Sequence, residues 1–151
     1  MNVVPDLLLG AHAAVTLFMV GVIWFVQVVH YPLFARVGSG YAQYQLEHMQ
    51  RTGWIVIPPM LTEAGLVALL AAGSVLPLGF DTALSPGAAS VGAGLLALVW
   101  GSTFFIQVPL HERLARGFDP ELARRLVRSN WVRTAAWSAR GLLALLWLAA
   151  N

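Results

Sequence analysis

Four apolar runs of membrane-spanning length leave this chain few folds to choose from. They extend over Leu7 to Phe34, Trp54 to Leu78, Ala88 to Leu110 and Asn130 to Ala150. Crossing a bilayer takes about 20 consecutive, mostly apolar residues in a helix. A water-soluble bundle would instead need a polar outer face on each helix, and these runs have none. Hydrophobic residues make up 58% of the sequence and charged residues 11%, against about a quarter charged in soluble domains. The expected fold is therefore all-α: an integral membrane four-helix bundle forming a single transmembrane domain over residues 1–151.

The polar residues are not scattered. Phe104 to Arg140 carries most of the arginines, and it reads as an altered copy of Phe25 to Glu63. Phe25 and Gln27 match Phe105 and Gln107, and Ala35 and Arg36 match Ala115 and Arg116. After a three-residue slip Arg51 and Trp54 match Arg128 and Trp131, and Glu63 falls opposite Arg140. Two tandem two-span repeats are expected, over about 7–78 and 88–151, related by an axis along the membrane normal as in some transporters. Tyr41 to Arg51 and Pro120 to Arg128 are polar enough to be short interfacial helices on one side of the membrane. Pro58 and Pro59 should start or kink the second span. The small-residue rows Ala64, Ala68, Ala72 and Ala93, Ala97, Gly101 suit close helix packing.

Orientation follows from arginine in short loops. Arg36 and Arg51 lie between the first two spans, and Arg113, Arg116, Arg124, Arg125 and Arg128 between the last two. The second loop and both tails carry none. Both arginine-bearing segments are expected to be cytoplasmic and both termini outside. The apolar run after Asp6 is too long for a signal peptide and should stay as a span.

The absence of cysteine excludes disulfides, thiolate metal sites and iron–sulfur clusters built by this chain alone. A formal charge of +2 is too small to suggest nucleic acid. No phosphate-binding glycine loop, His-Glu-x-x-His zinc motif or Glu-x-x-His di-iron pair is present.

Polar groups inside a membrane are expensive and are functional candidates by default. Trp24, Gln27, His30 and Phe34 should share one helix face, as should Phe104, Gln107 and His111. The repeat then puts His30 and His111 at nearly equal depth on facing helices, as a shared metal or a bis-histidine haem would need. His48 on the first interfacial helix is a third candidate ligand. Haem, iron and copper are the candidate cofactors. Glu63 and Arg140 are the clearest intramembrane charges, and their matching depth makes pairing the cheapest arrangement. Glu63 is also a candidate metal ligand or proton relay, with Arg140 as its partner and Gln27 and Gln107 as polar orienters. His12 falls on the opposite side of the membrane and is left out of the site.

At WFVQVVHYPLFARVG, RTGW, STFFIQVP and SNWVRTAAWSAR the chain resembles a group of small bacterial four-span membrane proteins, over nearly its whole length. That implies a bacterial cytoplasmic membrane location. More distantly, in size and four-span layout alone, it is similar to the anthrone-oxygenase-like membrane proteins, which oxidise polyketide anthrones. That resemblance places no catalytic motif, but implies an oxidoreductase acting on a hydrophobic small molecule. The rival expectations are a proton-coupled carrier and a structural accessory subunit. Membrane lipid, a hydrophobic substrate and a second copy of the chain are the expected partners.

Overall fold

The computed structural model describes residues 3–73, Leu76 and 85–150. They are almost wholly helical, with no strand among them. α1 spans Val3–Phe25 and continues through a π-helical turn, Val26–His30, into α2, Tyr31–Leu33. Two 3₁₀ turns, Phe34–Arg36 and Gly38–Gly40, lead into α3, Tyr41–Gly73. α4 spans Pro86–Ser102 and continues through a second π-helical turn, Thr103–Gln107, into α5, Val108–Leu114. α6 spans Pro120–Ala149. The expected end of the second span at Pro77 and Leu78, and the loop holding Asp81, lie outside the described residues.

Local sequence sets the ends. Gly38 has φ +79°, a left-handed backbone that favours glycine, and it breaks the first helical run. Asp119 caps α6: its Oδ1 accepts from the backbone N–H groups of Glu121 and Leu122 at 2.8 and 3.0 Å. Ser85 caps α4 through the N–H of Ala88 at 3.2 Å. A proline stands at the start of both helices, where its missing N–H costs nothing.

The two π-helical turns have one cause. Pro32 and Pro109 cannot donate to the helical ladder, and each ring crowds the carbonyl four residues back. The residue just before each proline takes the longer i→i−5 bond instead: Tyr31 N–H to the Val26 carbonyl, and Val108 N–H to the Thr103 carbonyl. Each turn accommodates an extra residue and so rotates the side chains beyond it by about 100°. Gln27 and His30, expected on one face, consequently part. Gln27 turns to α6, whereas His30 turns to α3.

The expected separate interfacial helices are not formed. Tyr41 to Arg51 runs without a break into the apolar part of α3, and Pro120 to Arg128 into the rest of α6. No glycine in a left-handed conformation interrupts either junction. α3 also continues through Pro58 and Pro59. Prolines are tolerated in such helices where neighbouring packing and side chains compensate for the lost bond. The carbonyls that lose their donors are those of Trp54 and Ile55, one turn before the prolines, and the Thr62 hydroxyl donates back to the Pro58 carbonyl one turn after them, at 3.0 Å.

α1 packs on α3 and α6, and α4 packs on α3 and α6. The interior is layered. One apolar cluster gathers Phe34, Tyr41, Leu114 and Leu126, a second gathers Met19, Met60, Val99 and Trp137, and a third gathers Leu9, Leu70 and Trp147. Between them sit buried His12, Gln27, Gln45, His48, Glu63, Gln107, Asn130, Arg133 and Arg140. The outside is apolar instead, with Phe18, Phe25, Trp54, Ile55, Leu61, Phe105 and Leu142 all more than half or nearly half exposed. A polar interior inside an apolar coat is the pattern of a lipid-facing protein, since solvent-exposed patches of that size are rare on soluble monomers.

Three helical runs, Val4–Arg36, Gly38–Gly73 and Pro86–Leu114, are long and apolar enough to cross a membrane. α6 is not among them. Arg133 and Arg140 make it more polar, yet both are buried against other helices. Of the two small-residue rows, Ala64, Ala72 and Gly101 are partly buried, whereas Ala68, Ala93 and Ala97 are exposed. Close approach falls to Gly92, under the Trp147 ring, and Gly141, under Val20.

Candidate functional site

The candidate residues separate into two places. The first lies where α2, α3, α5 and α6 meet. His30 Nε2 and His48 Nδ1 are 2.8 Å apart, and the Thr52 hydroxyl is 3.0 Å from the same His48 nitrogen. The His48 ring stands between the other two histidines, its centroid 4.7 Å from His30 and 5.2 Å from His111. His111 is fixed at both nitrogens. The Gln45 amide donates to Nδ1 at 2.7 Å, and the Tyr31 hydroxyl sits 2.8 Å from Nε2. Because Gln45 donates to Nδ1, the proton of a neutral His111 lies on Nε2 and points at the Tyr31 oxygen. Tyr41 holds Gln45 in turn, donating to its Oε1 at 3.3 Å.

Behind this cluster α6 supplies Arg133. Its Nη1 donates to Asn130 Oδ1 at 3.2 Å, and its Nε has no partner among the described residues. Gln27 and Gln107 flank it and serve mainly to tie helices to α6. Gln27 donates to the Val127 carbonyl at 3.1 Å and accepts from Asn130 at 2.8 Å. Gln107 donates to Ser129 Oγ at 3.0 Å, while its buried Oε1 has no partner.

A cavity of about 450 Å³ opens beside the cluster between α1, α3 and α4. Met19, Ile23, Val56, Met60, Trp100 and Phe104 form its apolar walls; Tyr31, His48, Gln107, His111 and Arg133 form its polar end. A larger groove of about 930 Å³ runs along the other side of α3, from Leu17 and Phe18 to His30, Glu47 and Arg51. Val22, Val26, His48, Thr52 and Val56 line both. Volumes of this size with apolar walls and a few convergent polar groups are typical of small-molecule sites.

The second place is deeper. Arg140 forms an ion pair with Glu63 Oε1 and donates to the Gly92 carbonyl. His12 joins them, its Nε2 3.5 Å from Glu63 Oε1 and 3.4 Å from Arg140 Nη2, with its ring stacked on Trp147 at 5.5 Å. The Thr16 hydroxyl donates to Glu63 at 3.5 Å. Glu63 and Arg140, expected to meet, do so, and all three ionisable groups are essentially sealed from solvent. His12 was missed because sequence depth put it across the membrane from the other histidines. It does lie far from them, but it is close to Glu63. Apolar neighbours give His12 no sequence pattern, though its spacing of four from Thr16 was a usable signal that both share a face.

Glu63 is not near His30, His48 or His111. Residues 48 and 63 lie on one helix, α3, so they are about 22 Å apart along its axis. The expected ligand set of His30, His48, His111 and Glu63 is therefore split. A bis-histidine haem on His30 and His111 does not fit either, since the His48 ring fills the space between them. Both nitrogens of His111 are committed to Gln45 and Tyr31, which leaves two histidines. Among the described residues no three His, Asp or Glu side chains are arranged to hold a metal ion.

Fold and site together define an all-helical protein with membrane-length apolar helices and a polar interior divided between a histidine cluster and a buried ion pair. Comparison of the chain with protein-family models, with curated proteins and with solved structures gave no match.

Proposed function

We propose that this chain is an integral membrane protein that binds a hydrophobic small molecule in the cavity between α1, α3 and α4, and acts on it as an oxidoreductase. One observation carries the reading: an apolar cavity large enough for a small molecule ends on Tyr31, His48, His111, Gln107 and Arg133. Removing hydrogen from a bound molecule needs a proton acceptor and an electron acceptor. His48, whose Nε2 has no hydrogen bond among the described residues, is the chain's proton acceptor. The electron acceptor has to come from outside the chain.

In this reading the four long helices form a bundle in a bacterial cytoplasmic membrane. α6 crosses as the fourth span, its two arginines turned inward and Trp131, Leu142, Leu145 and Leu146 outward. The repeat gains support from the two proline-induced π-helical turns, each carrying one of the matched glutamines. Arg36, Arg51, Arg113, Arg116, Arg124, Arg125 and Arg128 are all exposed near the histidine end, which we place at the cytoplasmic face with both termini outside.

A proton-coupled carrier is the second reading, and the His12–Glu63–Arg140 cluster favours it, because sealed ionisable groups in spans are the usual parts of proton relays. Calorimetric titration of the detergent-solubilised protein with 2-naphthol tests the cavity. Saturable binding that is abolished by Ile57→Trp, a residue lining this cavity and not the larger groove, is the expected result. Binding indifferent to that substitution removes the cavity from the proposal. Naphthol-dependent reduction of an added electron acceptor, lost in His48→Ala, then separates the oxidoreductase from a carrier, which would show binding without turnover.

A further inference from the structure

Arg133 and Arg140 lie seven residues apart on α6, one in each polar layer, and among the described residues only Arg140 has a counter-ion. Arg140 is neutralised by Glu63. Arg133 is 7% exposed and pairs with no carboxylate among the described residues. The other described acids are engaged or remote. Glu47 pairs with Arg51, Glu121 with Arg124, Asp119 caps α6, Glu112 is exposed and Asp6 is at the far end of α1. What surrounds the guanidinium is neutral: Asn130 Oδ1 at 3.2 Å and the neighbouring Tyr31 hydroxyl, while its Nε is unpartnered. A buried cation without a counter-charge is costly to keep, and here it forms part of the polar end of the cavity.

We propose that the missing counter-charge belongs to the ligand: the cavity takes a hydrophobic carboxylate, held by Arg133 with its apolar body along Met19, Ile23, Met60 and Trp100. The inference rests on the cavity being a small-molecule site and adds the class of molecule. A guanidinium is a planar fork of donors that matches a carboxylate, and charge-assisted bonds of this kind are the stronger ones. Away from Arg133 most of the lining is apolar, with Thr52 and Thr103 the polar side chains outside the cavity's polar end, which suits an apolar body better than a polar anion. The carboxylate serves as a handle, setting the body of the molecule beside His48 and His111.

The test is calorimetric titration of the full-length protein in neutral detergent with 2-naphthoate and with 2-naphthol, which share a ring system and differ in charge near pH 7. Wild type should bind naphthoate about 10-fold or more tightly than naphthol, the scale of a hydrogen bond to a charged group. Arg133→Gln should lose that preference, so that its affinities for naphthoate and naphthol come together. Arg133→Lys keeps the charge and should retain part of the preference; it also stands in if the glutamine variant fails to fold. Equal affinity for the two ligands in wild type overturns the carboxylate assignment and leaves the cavity reading intact. No binding of either ligand overturns both.

Discussion

Replacing Glu63 by Gln removes one charge of a pair sealed from water on both sides. The carboxylate is 0% and the guanidinium residue 2% exposed. At an effective dielectric constant near 20, two unit charges about 4 Å apart attract by about 4 kcal/mol. Breaking a buried pair costs about 3–5 kcal/mol, because the surviving charge is left uncompensated. Some contacts survive the change. Arg140 keeps the Gly92 carbonyl, and Thr16 can still donate to the new amide. Arg140→Gln leaves Glu63 with His12 at 3.5 Å as its remaining partner. Each single variant should therefore lose about 3–4 kcal/mol, toward the lower end of that range. The double variant leaves no orphan charge and two amides able to bond each other. It should lie at least ~1.5 kcal/mol above the sum of the singles, within the coupling range for residues in contact. Equilibrium unfolding of the four proteins in mixed micelles supplies the cycle. Strictly additive losses would mean that the charges do not stabilise each other, and the second polar layer would have to be redrawn.

The glycines give a steric check on the helix packing. A Cβ at Gly92 would come 2.7 Å from the Trp147 ring, and one at Gly141 would come 2.9 Å from Val20. Gly92→Ala and Gly141→Ala should each destabilise by about 1–3 kcal/mol, whereas Gly94→Ala and Gly65→Ala meet nothing within 4 Å and should be neutral or gain up to ~1 kcal/mol of helix propensity; thermal unfolding in detergent ranks the four. For orientation, a cysteine at Ser39 should be shielded from an impermeant thiol reagent in intact cells and one at Asp81 labelled. The reverse pattern would place the histidine end outside.

The sequence alone determined the class of object and the pairing of its extremes. Long apolar runs can satisfy their backbone in a membrane only as helices, and two opposite charges at similar depth in such helices have every reason to meet. Glu63 and Arg140 were legible for that reason, and the convergence of His30, His48 and His111 was legible from their common end of the spans. Sequence did not show which groups share a layer. Depth depends on whether Tyr41 to Arg51 stands apart or continues the span, and as one helix α3 sets Glu63 about 22 Å from His48; facing depends on rotation about the helix axes, which the π-helical turns before Pro32 and Pro109 change by about 100°. Only the tertiary structure split Glu63 from His30, His48 and His111, brought His12 to it, wedged His48 between His30 and His111, and left Arg133 without a carboxylate among the described residues. Burial and pairing are decided between helices far apart in sequence, and a residue's cost or use inside a membrane is fixed by the neighbour that packing gives it.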